Sequence, residues 1–118
     1  MAEAIASHFA PQLNIQSAGA QASHVRVEVV RVLTEERIFS NGLISKSIHA
    51  VDWDEVLEVI VLVPRAQSPR IPSRYKVRYW ELPDPQWAPF DERMDAMRDL
   101  RDELIRRITS LLQQLGVS

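Results

Sequence analysis

The chain has 118 residues, 46% apolar and 25% charged, which suits one soluble domain able to bury a core without staples. A net charge of −2 gives no general pull toward nucleic acid or an anionic membrane, and the longest apolar run, Val59 to Pro64, is far too short to span a bilayer. Zero cysteines exclude disulfides, thiolate metal sites and a thiol nucleophile within these residues.

Residues 1–10, MAEAIASHFA, read as a short alanine-rich helix stopped by Pro11. They hold no basic stretch followed by a long apolar one, so no secretory signal is expected and the cytoplasm is the default compartment. Leu13-Asn14-Ile15-Gln16-Ser17 alternates apolar and polar residues, the pattern of a short strand. The stretch Val25–Leu33 is ambiguous. Valines at 25, 27 and 29 alternate with Arg26 and Glu28 as in a strand, yet Val25, Val29, Val32 and Leu33 share one helical face.

Asn41-Gly42 marks a turn, and Asp52-Trp53-Asp54-Glu55 a capping or short helical segment. Leu57–Val63 is mostly β-branched and apolar, as expected of a parallel strand buried on both faces. A loop with Pro64, Pro69 and Pro72 follows, and Lys76–Trp80 reads as the last strand. Residues 81–89 hold three prolines and are expected to be loop.

From Asp91 to Leu115 runs the clearest element, a helix whose stripe is Met94, Met97, Leu100, Leu104, Ile108, Leu111 and Leu115, with Gly116 as its stop. Helices alternating with short apolar strands predict an α/β layer fold in one domain, residues 1–118. His8, His24 and His49 lack metal-ligand spacing, so neither a metal nor a cofactor is expected. Trp53, Trp80 and Trp87 read as packing residues before a recognition patch.

Several short segments, in order and at matching spacing, resemble the low-molecular-weight tyrosine phosphatase and arsenate reductase superfamily. They are Met1-Ala2-Glu3-Ala4, Leu13 to Gly19 with its Ser-Ala-Gly turn, Glu58-Val59-Ile60-Val61, Tyr79-Trp80 with Asp84-Pro85, and the closing helix Met94–Leu111. The resemblance implies a flavodoxin-like three-layer sandwich with a short parallel sheet and a long C-terminal helix. It also implies that Val25–Leu33 is helical. In this family a strand and a C-x5-R phosphate loop directly precede the residues that Met1-Ala2-Glu3-Ala4 resembles. The domain is therefore expected to be N-terminally incomplete, with its first, central strand absent.

Family members attack phosphorus with a thiolate stabilised at a helix N-terminus, and an aspartate of the D-P loop protonates the leaving oxygen. By that correspondence Asp84 is a remnant general acid, or simply a turn residue before proline. Ser17 matches a polar position near the absent loop, and Val63-Pro64 stands where the reductases often carry a further cysteine. The expected function is non-catalytic, a degenerate phosphatase-family domain acting through protein–protein contacts. The alternative is a truncated or split phosphatase or arsenate reductase whose nucleophile segment is supplied upstream or by another chain, with Met1 a misplaced start.

Removing a central strand opens a gap of about 10 Å, two strand spacings, and unpaired backbone groups cost on the order of 1–3 kcal/mol each. An inward slide of the outer strand, conversion of Val25–Leu33 to strand, or a strand from a second copy or partner would close it. Self-association or a protein partner filling the gap is the expectation. Separately, Arg65, Arg70, Arg74, Lys76 and Arg78 put five cations in fourteen residues without an acid. They form a solvated face, or bind a phosphate or an acidic partner.

Overall fold

The computed structural model describes residues 1–19, 23–24, 27–39, 44–47, 50–63, 65–85 and 88–116. Helix α1 spans Ala2–Phe9, where alanine-rich sequence needs little persuasion to coil, and it ends just before Pro11. It buries Ala4 and Ile5. Three short strands follow around a second helix: β1 (Ala18–Gly19), β2 (Ser23–His24), α2 (Val27–Glu35) and β3 (Ile44–Ser47). β3 pairs in parallel with β1, Ala18 opposite Lys46, and antiparallel with β2, Ser23 opposite Ser45.

The ambiguous valines resolve as helix over Val27–Glu35; Val25 and Arg26 lie outside the described residues. Tertiary packing decides this. Val32 and Leu33 are both fully buried, with Val29 packed beside them, which only the helical period achieves. The helix closes in a Schellman motif: Ile38 N–H donates to Leu33 O and Arg37 N–H to Thr34 O. Leu33 and Ile38 share the buried core, which supplies the motif's apolar contact. Arg37 occupies the left-handed position at φ 59°, where glycine is preferred. Exposed Arg37→Gly is therefore expected to raise the unfolding free energy by about 0.5–1 kcal/mol, read from the midpoint of urea denaturation. An unchanged or lowered midpoint would mean that the side chain offsets its own strain.

Leu13–Ser17, expected as a strand, is not one. The alternating pattern describes faces, but a strand also needs a ladder partner. Here the Ser17 N–H instead donates to the Glu3 carboxylate at 2.8 Å, and Leu13 is exposed. The Asn41-Gly42 turn lies outside the described residues.

Strands β4 (Val59–Val61) and β5 (Val77–Tyr79) form a separate parallel pair with Val59 opposite Val77 and Val61 opposite Tyr79. Trp80 N–H extends the ladder to Val61 O at 2.9 Å. A 3-10 turn at Trp53–Glu55 leads into β4, capped by Asp52, whose carboxylate accepts from Asp54 N–H. The expectation that Leu57–Val63 is buried on both faces is corrected. Only Val61 is buried, whereas Leu57 is 91% exposed and Leu62 and Val63 are about two-fifths so. Among the described residues β4 has a neighbour on one side alone, and one neighbour leaves half of an apolar strand in water.

After a 3-10 turn at Phe90–Glu92, helix α3 (Arg93–Gln114) closes the fold. Met97, Leu104, Ile108, Leu111 and Leu112 are its buried residues on the apolar side. The helix stops at Gly116, φ 74°, a position that suits glycine, so Leu115 falls past the last turn and is 44% exposed rather than in the stripe. α1 and α2 both pack on α3. Their common core is Ala4, Ile5, Ala10, Leu33, Ile38, Leu104, Ile108 and Leu112. The result is an α/β fold with parallel strand pairs and a long C-terminal helix. Among the described residues, no helix is long and apolar enough to cross a membrane.

Candidate functional site

Parallel strands of α/β folds present ligands at their C-terminal ends, where helix N-termini also point. Here the loop that leaves β5 lies at that end, while Glu3 joins the start of α1 to Ser17, just before β1. Met1 and Ala2 pack against the same core as Trp80 and Leu82, which ties the first turn of α1 to the residues leading into Asp84. Glu3, in that first turn, holds the Ser17 amide. Burial pushes the Met1 amine below its ordinary range, and the nearby Glu3 partly opposes this.

Asp84 lies exposed between Pro83 and Pro85, five residues past the end of β5. Proline on both sides restricts the backbone and keeps this segment out of regular structure. Arg65 opens a 3-10 turn just beyond β4, so it too follows the C-terminal end of a strand. Arg70 is exposed on the crossover back toward β5. Arg74 lies at the far end of that crossover, where its guanidinium donates to Asp54 and to the Tyr75 hydroxyl, both at 3.1 Å. Asp84 and Arg65 thus follow the C-terminal ends of neighbouring strands, whereas Arg74 sits before the start of β5. Trp87 lies outside the described residues.

Sequence reasoning passed over the roles of three residues, Glu3, Glu103 and Arg101. Glu3 was legible only as part of a motif, because its partner is fourteen residues away. Trp80 packs on the core and carries the Arg107 guanidinium 5.9 Å from its ring centroid. Glu103 binds both Arg107 and Arg106, and these bonds hold its carboxyl down from 4.5 to about 2. The third is Arg101, almost fully buried on α3. It donates to Val32 O and to Glu35, each at 2.8 Å, and to Asp102 at 2.9 Å. Burial opposes its charge, yet the bonds to Asp102 and Glu35 outweigh that and raise its pKa. Arg98 grips the same Glu35 through two nitrogens and, with help from Arg101, lowers the Glu35 pKa. The signal was available: 97, 101, 104 and 108 step by four, three and four along the helix, so Arg101 stands in line with the buried stripe. Its work is structural, joining the C-terminus of α2 to α3.

Among the described residues, no group of three or more histidines and acids is placed to hold a metal ion. Neither a protein-family model nor a curated protein matches the chain. A solved structure described as an arsenate reductase in reduced state does, with a TM-score of 0.78 and 22% sequence identity. The match covers 97% of this chain and 86% of that one. The likeness shows that this chain has the fold of that arsenate reductase, as its sequence resemblance implied.

Proposed function

We propose that these residues form a degenerate phosphatase-family domain that performs no thiolate chemistry itself and works through contacts with other protein. The observation that carries this reading is an arsenate reductase fold built from a sequence without a single cysteine. An acid at Asp84 protonates a leaving group only if something attacks first, and no thiol is present to do so. The strands support the second half of the reading. Among the described residues β1–β3 and β4–β5 form two separate sheets, and β4 has an edge without a ladder partner. Such an edge invites a strand from a second copy or a partner.

A split or truncated enzyme is the second reading, favoured by the place of Asp84 beyond the C-terminal end of β5. One assay separates the two. With an aryl phosphate as substrate, the 118-residue protein is expected to show no turnover above buffer, and Asp84→Asn is expected to change nothing. Turnover abolished by Asp84→Asn would overturn the non-catalytic reading. For the protein from its native source, an intact mass including upstream residues with a cysteine would do the same. The contact half has its own check. Light scattering of that material is expected to give a mass above one chain, and a single-chain mass with no co-purifying protein would count against it.

A further inference from the structure

The connection from β4 to β5 joins parallel strands, and its described residues form turns and proline-bound stretches instead of a long helix. Residues 65–78, the crossover and the start of β5, carry five cations and no acid. Within them Arg70-Ile71-Pro72-Ser73-Arg74 sets a serine three residues after one arginine and directly before another. An arginine three residues ahead of a hydroxyl is what arginine-directed protein kinases read, through carboxylates that pair with the guanidinium.

That spacing alone is weak, since it precedes six hydroxyls in this chain: Thr34, Ser40, Ser68, Ser73, Thr109 and Ser110. The structure separates them. Thr34 and Thr109 lie in helices and donate back to Val30 O and Ile105 O, both at 2.7 Å. Ser110 sits inside α3, whose backbone bonds would have to break before a kinase could hold it extended. Ser68 is half-buried and donates to Pro69 O at 3.1 Å. Ser40 lies outside the described residues. Among those described, Ser73 alone is exposed, outside any helix or strand, and without a hydrogen bond on its hydroxyl. It stands second in a turn closed by Tyr75 N–H to Pro72 O at 3.1 Å, which carries it at the tip.

From this we infer that Ser73 is a phosphorylation site for an arginine-directed serine kinase. In that step the Ser73 Oγ bonds to the γ-phosphorus of a nucleoside triphosphate. The bond from that phosphorus to its bridging oxygen breaks, the diphosphate leaves, and the hydroxyl proton passes to the kinase's catalytic base. The product has a receiver in the next residue. Arg74 donates to Asp54 and to the Tyr75 hydroxyl at 3.1 Å each, and both members of the Arg74–Asp54 pair are exposed. Exposed pairs of this kind are worth little, whereas a phosphoryl group offers three strong acceptor oxygens and up to about two negative charges. Phosphorylation thus draws Arg74 off Asp54 and lowers the charge of residues 65–78 from +5 to about +3. The site needs no nucleophile in this chain beyond the serine itself, so it stands whether or not the domain is catalytic.

The test is to incubate the 118-residue protein with an arginine-directed serine kinase and labelled ATP, then map the label by mass spectrometry. Labelling of Ser73 is expected, lost in Ser73→Ala and slowed about tenfold in Arg70→Ala. Both positions are exposed, as is Arg74, and circular dichroism checks that the variants stay folded. Phosphorus NMR then follows the phosphate. It is expected to titrate below the value of about 6 usual for phosphoserine, because Arg74 favours the dianion, and to return there in Arg74→Ala. Label on another hydroxyl in place of Ser73, or equal labelling of Arg70→Ala, would overturn the proposal. So would labelling of a peptide of residues 66–78 with none on the folded protein, since the turn would then be closed to a kinase. An unchanged titration in Arg74→Ala would overturn the handover of Arg74 from Asp54.

Discussion

Replacing Arg101 with alanine is expected to destabilise the protein by about 3 kcal/mol, a large share of a small domain's stability. Arg101 is 6% exposed, and its guanidinium donates to the Val32 carbonyl, Glu35 and Asp102. Truncation leaves the Val32 carbonyl, at the buried seam between α2 and α3, without its donor, at about 1–3 kcal/mol. Loss of the bonds to charged groups and of the packed stem adds to this. The cost stays below that of a wholly buried ion pair, because Glu35 keeps Arg98 and is partly open to water. Arg101→Lys is expected to recover only part of the loss, since one ammonium cannot reproduce a fork aimed in three directions. Urea unfolding measures both variants. In a Glu35→Gln background the effect of Arg101→Ala should shrink by more than about 0.5 kcal/mol, the mark of groups that share a network. A loss under about 1 kcal/mol for Arg101→Ala would show that the seam holds without it.

Ile5→Ala is expected to cost about 3–4 kcal/mol and to reach the site as well as the core. Ile5 is fully buried among the residues that join α1 to α2 and α3. A helix of eight residues is too short to persist in water by propensity, so α1 exists because it packs. Loosening it releases Glu3 from the Ser17 amide, the bond that holds residues 13–17 against the helix. Hydrogen exchange at Ser17 is therefore expected to speed up more in Ile5→Ala than the fall in global stability explains. Parallel changes would show that Ser17 is protected only by global folding and would detach the site from α1. Leu57→Ala is the contrast. At 91% exposed it should stay within about 0.5 kcal/mol of the parent protein, although the residue is just as apolar.

The sequence by itself determined the first and last helices. The three- and four-residue steps of Met97, Leu104, Ile108 and Leu111 made α3 visible, and alanines followed by a proline made α1 visible, because helical hydrogen bonds and faces are local. Strand β4 was legible as a β-branched apolar run ahead of Pro64, and β5 from the strand-favouring Val77, Tyr79 and Trp80. So was the absence of cysteine from these residues, which is simply composition. What only the tertiary structure decided is everything that depends on a partner far along the chain. Whether Leu13–Ser17 becomes a strand depends on an available ladder, and Glu3 captures the Ser17 amide instead. Whether Val27–Glu35 coils depends on the α3 surface that accepts Val32 and Leu33. Arg101 looks like any surface arginine until α2 brings the Val32 carbonyl and Glu35 to it across more than sixty residues. Periodicity reports which side of an element is apolar. Only the assembled fold reports what lies opposite.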